Sequence, residues 1–233
     1  MASYLLNKKH KDERFKDYHV TLPTYYRLKL PSLLPNISRI IYFDCDFIIC
    51  SSLNDLFYKD IGNNIIAGVQ DTDKRKVRKN PTYINAGMIL FDLDKMRKNN
   101  TEAEFLDYTK ENINKIKLGD QEIINEVLKG RIQIVKDEWN VQSSNFTNRS
   151  SYTHNPKAIH MIDKPWRYAS ACIHKKEYFK YLQMTPWALS KEEYDHWTID
   201  NERDSIIAYM KRRPLIFLRP RFYKALFKTY VAK

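Results

Sequence analysis

Glycine is scarce in this sequence, 5 residues in 233, and that scarcity excludes collagen-like repeats and long flexible linkers. No internal repeat or low-complexity tract occurs, which excludes repeat architectures as well. The three cysteines, Cys45, Cys50 and Cys172, form no C-x-x-C pair. An odd set without that spacing argues against a disulfide framework or a structural zinc site and for a reducing compartment, the cytoplasm. No stretch approaches the roughly 20 apolar residues that span a bilayer. Lys8, Lys9, Lys11, Asp12, Glu13 and Arg14 stand where a secretory signal needs an apolar run. Also absent are G-x-G-x-x-G and G-x-x-x-x-G-K-[ST]. A nucleotide bound here would therefore have its diphosphate held by a metal and basic side chains instead of a Gly-rich loop.

What is present is enough for a packed core, with 43% hydrophobic and 13% aromatic residues. The net charge of +12 is unevenly placed, because Lys211, Arg212, Arg213, Arg219, Arg221, Lys224, Lys228 and Lys233 follow Ser205 without a single acid. The basicity thus describes the partner of the 205–233 tail more than any substrate. Phe217, Phe222, Tyr223, Phe227 and Tyr230 lie among those cations. That mixture fits an anionic membrane interface and carries no nucleic-acid motif, so the expected site of action is the inner face of the plasma membrane, with no nucleic-acid partner.

From about residue 19 to 166 short apolar runs alternate with amphipathic stretches, the pattern of an α/β domain. Arg39-Ile40-Ile41-Tyr42-Phe43 predicts a strand buried on both faces. Further strands are predicted at 65–69 and, after a turn at Asn85-Ala86, at 87–91, and helices at 93–100, 101–114 and 121–128. From Lys175 the text becomes aromatic and charged, which predicts a helical cover over 175–204.

Asp44 and Asp46 follow the first strand directly, and open α/β sheets bind ligands at the carboxyl ends of their strands. A turn there would let both carboxylates reach one hard cation; the plain alternative is a pair of turn acids. His160, in the apolar segment Ala158-Ile159-His160-Met161-Ile162, is either a satisfied core residue or the imidazole of a mixed O/N site suited to Mn²⁺, with Mg²⁺ the weaker candidate. Lys164 is a point charge for phosphate or a solvated surface residue. Asn85-Ala86-Gly87 reads as a turn or as small residues that admit a sugar to the backbone. Asp120 reads as a helix N-cap or as a ligand group beside Gln121.

In order along the chain come Thr24-Tyr25-Tyr26-Arg27-Leu28, Ile40-Ile41-Tyr42-Phe43-Asp44-Cys45-Asp46, Tyr83-Ile84-Asn85-Ala86-Gly87-Met88, Gly119-Asp120-Gln121, and His160 with Lys164-Pro165-Trp166. This series resembles glycosyltransferase family 8, which includes bacterial lipopolysaccharide and lipooligosaccharide hexosyltransferases and glycogenin. The resemblance implies a Rossmann-like mixed sheet of the A-type nucleotide-diphosphate-sugar transferase (GT-A) fold and a retaining, Mn²⁺-dependent reaction with a UDP-hexose donor and a glycan or lipid-linked oligosaccharide acceptor. It implies that Asp44, Asp46 and His160 are metal ligands, that the Cys45 backbone lies near the nucleotide, and that Lys164 touches the diphosphate. It assigns the donor sugar to Arg27, Asp71, Asn85, Ala86, Gly87 and Asp120, with Gln121 below the anomeric carbon.

The division expected on this basis is a divergent segment 1–18, a catalytic domain 19–174, the cover 175–204 and the tail 205–233. Two departures from the family pattern are visible. Only Met161, Ile162 and Asp163 separate His160 from Lys164, which predicts a tight diphosphate loop. The first, uridine-binding strands of the family precede its T-Y-x-R-L segment, which here starts at Thr24, so an N-terminally shortened domain is expected. Two other classes compete. The run to Asp44-Cys45-Asp46 also resembles the opening motif of haloacid-dehalogenase-type phosphatases, and a non-catalytic basic binding protein would use the tail.

Overall fold

Arg39–Phe43 forms strand β1, as its apolar continuity predicts, in a computed structural model that describes residues 22–142, 155–167, 172 and 174–197. The 1–18 segment, the 205–233 tail and the end of the 175–204 stretch lie outside the described residues. The chain forms two units, one containing Leu53–Lys136 and the residues up to Phe43, the other Asp44–Ser52 and the residues from Asp137. Elements are numbered along the chain.

The first unit is built on a four-stranded sheet of β1, β3 (Ile66–Gln70), β4 (Ile84–Asp92) and β5 (Ile132–Val135), in the order β1-β4-β3-β5. β4 runs antiparallel to β1 and β3, whereas β3 and β5 are parallel, so the sheet is mixed. Helices α1 (Leu30–Leu33), α2 (Asn54–Phe57), α3 (Lys74–Lys79), α4 (Leu93–Lys98), α5 (Thr101–Asn112) and α6 (Asp120–Val127) complete it. The core joins Ile66, Ile84, Ile89 and Phe91 of the sheet to Met96, Phe105, Ile123 and Ile124 of α4, α5 and α6. α4 starts where the Asp92 carboxylate accepts the Lys95 N–H at 3.0 Å, an N-cap that offsets a free backbone donor. Asn100, at φ 52, breaks the chain between α4 and α5, and asparagine is among the few residues that tolerate this left-handed turn.

Three expectations change on contact with the structure. β1 is half-buried along its whole length because, among the described residues, it is an edge strand paired only with β4. A continuous apolar run does not reveal which face or edge stays open. Asn85-Ala86 is not a turn but part of β4. The strand extends back to Ile84 because the Asn125 side chain of α6 accepts the Ile84 N–H at 2.7 Å and donates to the Ile84 carbonyl at 2.9 Å. Asp120 is not the N-cap of α6; Gly119 is, with φ 66 and ψ −133. That backbone conformation is open essentially to glycine alone, and it frees the Asp120 carboxylate for another partner.

The second unit contains a three-stranded sheet of β2 (Phe47–Ile49), β6 (Val141–Gln142) and β7 (Ala158–His160), ordered β2-β7-β6. β7 pairs antiparallel with β2 and parallel with β6. Ile159, Met161 and Cys172 form its apolar cluster with Ile48, Cys50 and Tyr178. The predicted helical, aromatic stretch is present as α7 (Lys175–Leu182) and α8 (Lys191–Asp195). Phe179 is buried against Tyr178 and Tyr194, with centroids 5.1 and 6.4 Å away. Ser190 and Glu193 close a reciprocal capping box on α8. Among the described residues no helix is long and apolar enough to cross a membrane.

Gly68 tests the packing of β3 on β4. A Cβ there would lie 2.7 Å from Ile84 Cδ1 and 3.2 Å from both Ile84 Cβ and Cγ2, contacts too close for the rigid part of that side chain to yield. Gly68→Ala is expected to cost about 1–3 kcal/mol by overpacking, read from urea denaturation. Ile84→Val removes the atom nearest the new methyl group. The double variant should therefore recover part of the loss; strictly additive losses would contradict this packing account.

Candidate functional site

The carboxylates of the second unit are gathered by backbone pairing. Asp44 follows β1, a turn at Cys45-Asp46 reverses the chain, and β2 then pairs with β7 so that Phe47 stands opposite His160. The Asp46 carbonyl accepts the Met161 N–H at 2.8 Å, which extends this register back to the turn. One donor atom each from Asp44, Asp46 and His160 then lies within 4.8 Å of the others. The tight linker after His160 brings the Lys164 ammonium onto the other oxygen of Asp46. Cys45, between the two acids, is exposed.

The imidazole is held from three sides. Its Nε2 is 3.4 Å from Asp46 Oδ1, its Nδ1 is 3.2 Å from Asn140 Oδ1, and the Phe47 ring stacks on it with centroids 4.3 Å apart. Asn140 is fully buried, and an amide oxygen only accepts hydrogen bonds. With the Asn140 oxygen as acceptor, Nδ1 carries a proton and Nε2 faces the carboxylates, the orientation a metal-binding histidine needs. Burial alone would raise the Asp46 pKa. The hydrogen bond and charge of His160, then those of Lys164, outweigh it and hold the group at about 2. Because the folded-state value is depressed, this contribution to stability is present above the ordinary carboxylate range and is lost as pH falls through about 2.

Two carboxylates, one imidazole with its Nε2 directed toward them, and a cation already drawn onto Asp46 make a hard O/N donor set that fits a divalent metal ion.

A second group of residues occupies the first unit. Arg27 is buried, pairs with Asp120 at 3.1 Å, donates to the Ala86 carbonyl at 2.6 Å and to the Thr24 carbonyl at 3.2 Å, and lies over the Tyr42 ring at 4.1 Å. Gln121, next on α6, accepts the Ala86 N–H at 3.0 Å and donates to Asp71 Oδ2 at 3.0 Å. Asp71 also meets Lys76 of α3 at 3.3 Å. Burial, with the Asp120 charge in second place, pushes the Tyr25 hydroxyl up to about 12, and burial also raises that of Tyr83. Both phenols thus stay protonated through the physiological range. Of the residues singled out from sequence, Arg27, Asp71, Ala86, Asp120 and Gln121 join one hydrogen-bonded network. Asn85 directs its side-chain oxygen to the Gly87 N–H at 3.0 Å.

Asn140, Asn125 and Lys76 escape the sequence reading. Asn125 also donates to the Gln121 carbonyl at 2.8 Å, so it locks the start of β4 to the helix that carries Asp120 and Gln121. Its spacing four residues after Gln121, on the buried side of an amphipathic helix, is the one signal that marks it. Asn140 has no such signal, because its partner is 20 residues away.

Residues 2–170 match the family model described as glycosyl transferase family 8. General stress protein A of Bacillus subtilis is 27% identical over 193 residues, which is 72% of this chain and 68% of that protein. Glycosyltransferase GlyE of Streptococcus pneumoniae is 24% identical over 188 residues, which is 76% of this chain but only 45% of GlyE. Among solved structures, the galactosyltransferase LgtC, in complex with donor and acceptor sugar analogs, aligns with a TM-score of 0.62 at 20% identity, covering 77% of this chain and 72% of that one. Apo GlyE aligns with a TM-score of 0.60 at 23% identity, covering 75% and 45%. The fold is therefore that of the GT-A glycosyltransferases.

The role of Asn140 is testable on metal binding alone. Asn140→Ala is expected to weaken Mn²⁺ binding by about 10–100-fold, the usual cost of removing the partner that orients a ligating histidine, as measured by calorimetric titration. Asn140→Asp, which keeps the acceptor, should retain most of the affinity. Equal affinities for wild type and the alanine variant would contradict the role.

Proposed function

The chain belongs to glycosyl transferase family 8 and is a glycosyltransferase, and from that premise we propose that it moves galactose or glucose from a UDP-sugar to a lipopolysaccharide or lipooligosaccharide acceptor. The reaction is metal-dependent and retains the anomeric configuration. Mn²⁺ is the preferred ion and Mg²⁺ a weaker substitute. The observation that carries this reading is the convergence of Asp44, Asp46 and His160 within 4.8 Å of one another, with Lys164 on Asp46.

Asp44, Asp46 and His160 would hold a divalent ion, which would act as a Lewis acid on the diphosphate and offset the charge that grows on the departing nucleotide. Lys164, once its ammonium exchanges Asp46 for a diphosphate oxygen, adds a fixed positive charge to the same leaving group. The Cys45 backbone contacts the nucleotide. Arg27, Asp71, Asn85 and Asp120 hold the donor sugar, and Ala86-Gly87 admits it close to the backbone. The Arg27–Asp120 pair is suited to that task because it is already fixed by the Ala86 carbonyl and the Tyr42 ring, so it orders little on binding.

Gln121 is an amide and a poor nucleophile, and both ends of its side chain are engaged, by Ala86 and by Asp71. This favours front-face attack over a double displacement. The acceptor oxygen bonds to the anomeric carbon on the face from which the diphosphate oxygen leaves, and the acceptor proton passes to that departing oxygen. The 205–233 tail, basic and aromatic, then holds the protein at the anionic inner face of the plasma membrane beside a lipid-linked acceptor.

Metal-depleted protein supplied with UDP-galactose or UDP-glucose and truncated lipooligosaccharides is expected to add one hexose, seen by mass spectrometry, only after Mn²⁺ is restored. One-bond carbon–proton coupling in the product should report the same anomer as in the donor. Transfer from neither donor, or an inverted product, would refute the reading.

A further inference from the structure

We infer that helix α3 is a docking arm for the negative charges of an anionic acceptor glycan, a saccharide bearing phosphate or carboxylate groups. Five of its six residues are cations, Lys74, Arg75, Lys76, Arg78 and Lys79. They divide into two sets. Lys76 turns toward the protein, to Asp71 at 3.3 Å, with its ammonium 5.4 Å from the centre of the Tyr83 ring. Arg75 is spent on the Asp73 carboxylate that caps the helix. Lys74, Arg78 and Lys79 remain, all exposed and without an ion pair among the described residues. Lys74 and Arg78 are four apart and therefore neighbours on the helix surface.

Such a run is often no more than a solvated face, and here the anchoring of the helix argues otherwise. Its start is tied to Asp71, whose Oδ1 accepts the Asp73 N–H at 2.7 Å. Its end is tied through Asn80, which donates to the Asn125 carbonyl at 3.2 Å and accepts from the Thr82 N–H at 3.1 Å. Asp71 is bonded to Gln121, and Asn125 to the Gln121 carbonyl. The start of a short cationic helix is thus fastened to Asp71, which the proposed reading gives to the donor sugar, and its end to Asn125, which holds Gln121 beside it. The unpaired cations are held at a set place beside that network. A like-charged cluster opposes its own assembly, and an anionic partner relieves that repulsion. The partner that must come to the sugar for transfer to occur is the acceptor, and this inference rests on the transferase reading for that step.

The test compares one phosphorylated lipooligosaccharide-derived oligosaccharide with its dephosphorylated form, in wild type and in the Lys74→Ala, Arg78→Ala, Lys79→Ala triple variant. Wild type is expected to favour the phosphorylated acceptor about tenfold in kcat/KM, through KM, with a preference that shrinks as salt rises, as screening of exposed charges requires. The triple variant should lose that preference, and the charge-keeping Lys74→Arg, Lys79→Arg variant should keep it. Wild type that hydrolyses UDP-hexose with Mn²⁺ yet uses both acceptors equally would overturn the docking arm and leave the transferase reading standing. No hydrolysis and no transfer by wild type would instead overturn the reading beneath it. A triple variant that keeps its acceptor preference but loses binding to anionic phospholipid vesicles would also overturn the inference, since the helix would then serve a membrane.

Discussion

A charge taken out of water must find its partner within the fold, and in both units that constraint sets the arrangement of the candidate site residues. Arg27 and Asp120 are each about 7% exposed and 3.1 Å apart. Removing either would leave the other buried and unpaired, at a cost of about 3–5 kcal/mol. Such pairs persist where the geometry is supported from outside, and here the Ala86 and Thr24 carbonyls and the Tyr42 ring supply that support. In the second unit Asp46 meets the same requirement with two partners, His160 and Lys164. A depressed pKa is the signature of that arrangement, and a carboxylate kept ionised is what holding a metal ion requires.

Both sets are positioned by hydrogen bonds that reach across secondary structure. Asn125 bonds the N–H and C=O of Ile84 and the carbonyl of Gln121. It thereby fixes how α6, with Asp120 and Gln121 at its start, lies on β4. Asn140 acts on His160 in the same manner, by selecting which ring nitrogen faces the carboxylates. Neither asparagine belongs to a recognised motif, yet the orientation of the motif residues depends on them.

This explains how far the sequence could be read. β1, α4, α5 and α6 were legible because continuous apolar runs and 3.6-residue periodicity are local signals. The ordered motifs were legible because the family matches across residues 2–170. The half-buried state of β1 was not, since an edge strand and a central one share the same apolar text, and topology alone separates them. Asn85-Ala86 read as a turn because Asn and small residues punctuate loops, whereas a side chain 41 positions away continues the strand. Asp120 read as a cap because the local rule favours it, but the unusual backbone of Gly119 takes the capping position and a buried arginine claims the carboxylate.

The central claim is that Asp44, Asp46 and His160 act together as one metal-supported site for sugar transfer. Steady-state UDP-hexose turnover against Mn²⁺ concentration, in the wild type and in Asp44→Asn, Asp46→Asn and His160→Ala, tests it most directly, with circular dichroism confirming that each variant is folded. Loss of the metal-supported charge stabilisation, several kcal/mol in such sites, predicts that each substitution lowers turnover by about a thousandfold or more at saturating Mn²⁺. Turnover near the wild-type level in any two of the three would contradict it.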